Sequence, residues 1–378
     1  MILTRGARVT GSVLCGVLAV IVASWLVRDV RAVEFGQLLR YWAGFTDVQP
    51  PALPTTTAED AVLLVVYVVA TVAALRSAVA ATVLVAVGVV TIAVRLPGLW
   101  SIGSRVMESA YSDDLRTRAL ISAFAALAAG LALLITAGAG RRPPDGAYER
   151  LPTRPGHGAS VTAFLLLCAA GAVLVGWEIR QVVKYPEVFP HWYVGGDRLM
   201  HGLTDPPVGW ASVLTALFCL FAGVSALSHA VHSRPFGLVA AGLLLPGGVS
   251  GVALAVHYEL FDDFGSLPTE AQLKLTSWFF EAFVAVMVLI ALAPRGFADV
   301  PGPFAPGYGS GYGEPGYGQQ QGYGTPGYGT PGYGSEAHPG PDAAGPHPGQ
   351  QPPAPGYGYP QGGGFGPPPP PSQPPPGW

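Results

Sequence analysis

The sequence predicts an all-α, polytopic transmembrane helical bundle of eight spans, arranged as two tandem four-helix repeats and followed by a disordered tail. Three observations carry that expectation. Half of the 378 residues are hydrophobic and only 11% are charged, and the apolar residues gather before position 294 in stretches long enough to cross a bilayer. A proline- and glycine-rich segment, 138–160, interrupts them with Arg141, Arg142, Arg150 and Arg154. It can neither continue a helix nor enter hydrocarbon, so it reads as a basic cytoplasmic linker. The half after this linker repeats the loop plan of the half before it.

Taken in order, Arg5 and Arg8 precede an apolar run over 11–27. It is either a signal peptide or a first span that stays. The uncleaved span is the preferred reading, because Trp25 and Arg28 close the run where cleavage requires small residues. Residues 32–42 read as a short amphipathic helix on the membrane surface, stopped by Pro50, Pro51 and Pro54. The stretch 61–94 holds one charge, Arg76, over a length well beyond the ~20 residues that cross a ~30 Å core. Two short spans turning at Arg76 fit it, with one steeply tilted helix as the rival. After polar residues 95–118, the fourth span is 119–137, and the second half supplies 161–175, 209–227, 236–256 and 276–292.

An offset of 152 places Trp25 and Arg28 on Trp177 and Arg180. An offset of 149 places Leu96, Pro97 and Gly98 on Leu245, Pro246 and Gly247, and Asp113 and Asp114 on Asp262 and Asp263. Thr46-Asp47 and Thr204-Asp205 both stand before proline pairs. Several such matches in one order predict a tandem duplication, with units 1–137 and 161–293 inserted the same way round. The short segments at the termini, Arg76, the linker and Arg234 are denser in basic residues than the long loops opposite. That density places both termini in the cytoplasm of a plasma-membrane protein, with the tryptophans from Trp25 to Trp278 toward the other side.

The tail, 294–378, has no Lys or Arg after Arg295, and from Pro301 it is Gly, Pro, Tyr and Gln with Gly-Tyr-Gly around Tyr308, Tyr312, Tyr317, Tyr323, Tyr328, Tyr333 and Tyr357. Such a segment buries too little apolar surface to offset its chain entropy, and without cations it holds no phosphate. With a net charge of only -3, nucleic acid is not an expected partner. The expected partners are the bilayer and proteins that bind the 301–378 tail. This tail and the Ala, Val, Arg and Gly usage resemble uncharacterised multi-pass membrane proteins of high-GC actinobacteria, a likeness that implies no activity or site.

The strongest polar anomaly inside a span is Glu281, in Lys274-Leu-Thr-Ser-Trp278-Phe-Phe-Glu281. Lys274, Trp278 and Glu281 share one helix face, with the carboxylate ~10 Å deeper than the lysine. An intramembrane carboxylate marks a pathway, a proton site or a pairing site, with Lys274 or His257 the nearest partner; the bland alternative is an anchor or helix-packing group. Arg95 is either intramembrane or interfacial. Pro97-Gly98 and Pro246-Gly247 are candidate helix bends, and Gly247 with Gly251 also forms a small-residue packing surface. His191, Asp197, Arg198, His201, Asp205, His257, Glu259, Asp262 and Asp263 read as solvated loop charges, and His229 and His232 as polar residues of a turn. Cys15, Cys168 and Cys219 lie inside apolar segments with no paired spacing.

No nucleophile elbow, phosphate loop, haem motif or zinc signature is present. The sequence therefore assigns no catalytic, metal or cofactor residue, and an enzyme is the least favoured class. A membrane-anchored interaction or scaffold protein with a multivalent tail ranks first. A transporter or channel with a path involving Glu281 ranks second. A cavity reaching Glu281 is the observation that separates them.

Overall fold

The structure is a computed structural model that describes residues 2–47, 50–143, 153–195, 201–294 and 297–298. The tail from 301, Arg150, Asp197 and Arg198 lie outside the described residues.

Helix α1 (Arg5–Val33) starts on Thr4, whose hydroxyl accepts from the Ala7 N–H. It outruns its apolar stretch at both ends because its basic residues sit in the first and last turns, where long side chains reach the interfaces. Glu34, at φ 67°, breaks it, and a short helix comes next, α2 (Phe35–Trp42), within the expected 32–42. Helices α3 (Ala58–Arg76) and α4 (Ala80–Arg95) are separated at Ser77, whose backbone is extended. Two short spans are thus present, and the single tilted helix is excluded. After α5 (Gly98–Ser101) and α6 (Arg105–Ala110), α7 (Asp113–Ala139) begins well before its apolar window. Ser112 caps it, and Asp113 and Asp114 face the positive end of the helix dipole. The second half holds α8 (His157–Lys184), α9 (Phe189–Val194), α10 (Val208–Leu227), α11 (Ser233–His257) and α12 (Thr269–Leu292).

Eight helices are long and apolar enough to cross a membrane: α1, α3, α4 continued through α5, α7, α8, α10, α11 and α12. Val20, Val65, Ile121, Ile135, Leu165, Val224, Leu273 and Ile290 stand exposed on their outer faces. Only a bilayer leaves such belts without penalty, and the chain is an all-α, multi-pass membrane bundle.

In the first half α1 packs on α3 and α7, and α4 closes the ring against the same two helices. In the second half α8 packs on α10 and α12, and α11 closes that ring. The rings meet where α11 lies against α3 and α4. Two antiparallel strand pairs were not foreseen: β1 (Ile2–Leu3) with β2 (Arg141–Arg142), and β3 (Thr153–Arg154) with β4 (Phe297–Ala298). They gather the chain ends of each half at one end of the bundle, the linker end. The opposite end, with α2, α5, α6 and α9, is the far end.

Helices α11 and α12 approach each other closely. A Cβ at Gly248 would overlap the Ala282 backbone, and one at Gly251 would overlap the Trp278 ring. The packing pair is therefore Gly248 with Gly251, while Gly247 meets only the end of the Glu281 side chain of α12. Helix α11 runs on through Pro246, which leaves the Gly242 carbonyl without its helical donor. Pro97, in contrast, lies in the short turn that joins α4 to α5 within one span, with helical backbone angles of its own.

Candidate functional site

The second ring holds an open cavity of about 760 Å³ between α8, α10, α11 and α12. Its mouth is at the far end, among Gln181, Arg180, Glu178, Trp192 and Glu270. Its deepest residues are Leu174 on α8, Thr215 on α10, Leu243 and Leu244 on α11, and Glu281 on α12. One turn further toward the linker end, each helix turns core residues inward instead: Leu167 and Ala170, Phe218 and Ala222, Ala240, and Val284, Ala285 and Val288, all buried in one cluster. The cavity is open at the far end and closed toward the linker end.

Helix α12 sets the chemistry. At 1.5 Å per residue, Glu281 lies ~18 Å along the helix, and Trp278 and Lys274 stand one and two turns above it on the cavity side. Glu281 is 5% exposed, and its Oε1 has no hydrogen-bond partner among the described residues. A Cβ at Gly247 would lie 3.4 Å from Oε2, so the residue after Pro246 borders the carboxylate directly. Lys274 does not pair with Glu281. Its ammonium sits 4.9 Å from the centre of the Trp177 ring and 5.7 Å from that of Trp278.

The mouth is neutralised by its own neighbours. Glu270 pairs with Arg180 and Lys184, and Glu178 accepts from Trp192 Nε1 at 3.2 Å and from the Tyr193 hydroxyl. Glu59 also reaches the cavity from α3. Neither it nor Glu281 has an ion-pair partner among the described residues.

The first ring has a cavity of only about 20 Å³ at the comparable place. At the offsets found in the sequence, its lining residues Trp25, Ala119, Ser122 and Ala123 fall on Trp177, Ala271, Lys274 and Leu275, and Arg95 and Gly98 fall on Leu244 and Gly247. Arg95 fills that space. Its guanidinium donates to Asp60 Oδ1 at 2.5 Å and to the Thr204 carbonyl, and Thr204 Oγ1 donates to Asp60 Oδ2 at 2.7 Å. The offset of 152 puts Asp60 on Ser212, so an ion pair in one half stands where serine and leucine line open space in the other.

Several sequence expectations change here. Arg95 is buried and paired, which settles its place inside the bundle. His257 is not the partner of Glu281: its ring stacks on Phe45 at 4.1 Å, and its Nε2 lies 3.7 Å from Asp47 at the far end. Asp205 and His201 are not solvated loop charges. Burial first, then the nearby carboxylates of Asp60 and Glu59, push the Asp205 carboxyl well above its usual range, and burial pulls the His201 imidazole down. His229 bonds Ser160 and His232 bonds Ser225, so both tie the α10–α11 turn to its neighbours.

Sequence reading passed over Asp29 and Asp60. Asp29 is fully buried and accepts from the N–H and hydroxyl groups of both Thr55 and Thr56 at 2.7–2.9 Å. Tyr111 donates to the Pro54 carbonyl at 2.7 Å, beside the same loop. The available signal was a carboxylate ending one apolar run, with three consecutive threonines before the next. Compared with known proteins, the chain matches no family model, no curated protein and no solved structure.

Proposed function

We propose that this is a plasma-membrane transport protein that takes a solute from the outer side into the second ring, with Glu281 as the group it reaches. The observation that carries this reading is the cavity, open at the far end, closed toward the linker end, and floored by a buried carboxylate with an oxygen unpartnered among the described residues. A cavity closed at its base fits alternating access better than a continuous channel. Pro246 beside the floor supplies a weak point at which α11 can bend.

The cavity reverses the ranking that composition alone suggests. A scaffold needs no route to Glu281; its support rests on the tyrosine- and proline-rich tail, which fits a role in recruiting partners to a transporter equally well. The two rings share one pairing order, and their cavities share lining positions at constant offsets. Those likenesses support tandem duplication of a four-helix unit, in which only the second copy keeps an open site. In this reading both termini and the linker are cytoplasmic and the far end faces outside.

The test is flux into liposomes at matched protein amounts, read with a pH-sensitive dye across a panel of ions and by uptake of labelled organic solutes. The wild type should transport at least one of them, and Glu281→Gln should abolish that flux while leaving the fold intact. No flux of any kind would remove the transport reading and leave the scaffold.

A further inference from the structure

We infer that the occupant of the second-ring cavity is an organic cation, an ammonium group carried on an apolar body. This rests on the proposal that the cavity is a solute site and names the chemical class it takes.

Charge comes first. The mouth residues cancel one another through the Glu270–Arg180–Lys184 cluster. Glu178 is engaged by Trp192 and Tyr193. Among the described residues, the cavity charges left without an opposite partner are Glu59 and Glu281 against Lys274, a negative balance with its deepest point at Glu281. A buried carboxylate oxygen without a donor is costly, and a bound ammonium supplies both a donor and a countercharge. An anionic ligand would place like charge against that floor.

The walls decide between an organic and an inorganic cation. No group of three His, Cys, Asp or Glu able to hold a metal ion occurs among the described residues. Apolar side chains dominate instead, with Trp177, Trp278, Leu174, Leu243 and Leu275 around the volume. Indole faces attract cations, and these two already hold one, the Lys274 ammonium. Lys274 thereby occupies the ring site that an incoming ammonium passes on its way to Glu281. A tethered cation there competes with the ligand.

The experiment measures binding to the full chain in nanodiscs by calorimetry, with empty nanodiscs as the control. Three probes of one shape are compared: benzyltrimethylammonium, uncharged neopentylbenzene and anionic benzylsulfonate. Benzyltrimethylammonium should bind saturably and tighter than the other two. Glu281→Gln should weaken it about tenfold or more, the scale of one lost charge-assisted contact. Lys274→Met should tighten it several-fold, a gain that a lysine with a merely structural role would not produce. Benzylsulfonate binding that is lost in Lys274→Met would overturn the cation assignment while leaving a solute site. Cation binding indifferent to Glu281→Gln would remove Glu281 from the site. Glu281-dependent proton flux with no probe bound would overturn the organic class but leave transport standing. No saturable binding and no flux would overturn both.

Discussion

Replacing Arg95 by Leu and Asp60 by Ser gives the first ring the residues found at the matching places in the second. Asp60 is 1% exposed, and its carboxylate meets Arg95 on one oxygen and the Thr204 hydroxyl on the other. In Arg95→Leu it keeps a single neutral donor. Breaking a buried pair from one side costs ~3–5 kcal/mol, because a desolvated charge stays behind. The double variant removes both charges and forfeits the bonds to Thr204, a net cost of ~1–2 kcal/mol. The two single losses should therefore exceed the double loss by at least ~2 kcal/mol, as expected for residues in direct contact. At ~2–4 °C per kcal/mol for domains of 150–250 residues, Arg95→Leu should melt ~10 °C below wild type and the double variant only a few degrees below. The assay is unfolding in detergent followed by a thiol-reactive dye, since Cys15 and Cys219 are buried until the bundle opens. Additive losses, with the double variant the least stable, would refute a charge pair that binds the first ring to the Thr204 loop.

Asp29→Ala removes four hydrogen bonds from the loop between α2 and α3, and should lower stability by ~3 kcal/mol or more, with Asp29→Asn losing less in the same assay. Asp205 binds its proton more tightly folded than unfolded, so its contribution falls as pH rises from its ordinary pKa through the raised one. The melting-temperature gain of Asp205→Asn over wild type should accordingly grow from acid to mildly alkaline pH; a flat difference would show that Asp205 keeps its usual pKa. A single cysteine at Asp113, whose side chain is 90% exposed at the far end, should react with impermeant maleimide on intact cells, and one at Ala147 in the linker should not. The reverse pattern would invert the orientation.

The number of spans, the break at Arg76 and a short helix before Pro50 were legible in the sequence. Each arises from a local property: the length of an apolar run, a charge that cannot stay in hydrocarbon, a proline that ends a helix. The shared face of Lys274, Trp278 and Glu281 was legible for the same reason, since helix periodicity alone places them. The surroundings of that face depended on three other helices. Leu244 and Gly247 of α11 leave space beside Glu281, whereas Arg95 fills the matching space in the first ring, and no periodicity within one helix distinguishes the two. His257 looked near enough to Glu281 in sequence, yet it ends α11 while Glu281 lies ~18 Å into α12 from the same far end. Asp60 drew no notice and Asp205 read as a solvated loop charge because both flank apolar runs, whereas their burial depends on the Thr204 loop lying on the α3 start. Chain-local energetics set the spans of this protein, while the open cavity depends on contacts between separate helices, such as Gly247 with Glu281, and the filling of the first ring on contacts distant in sequence, such as Arg95 with Thr204.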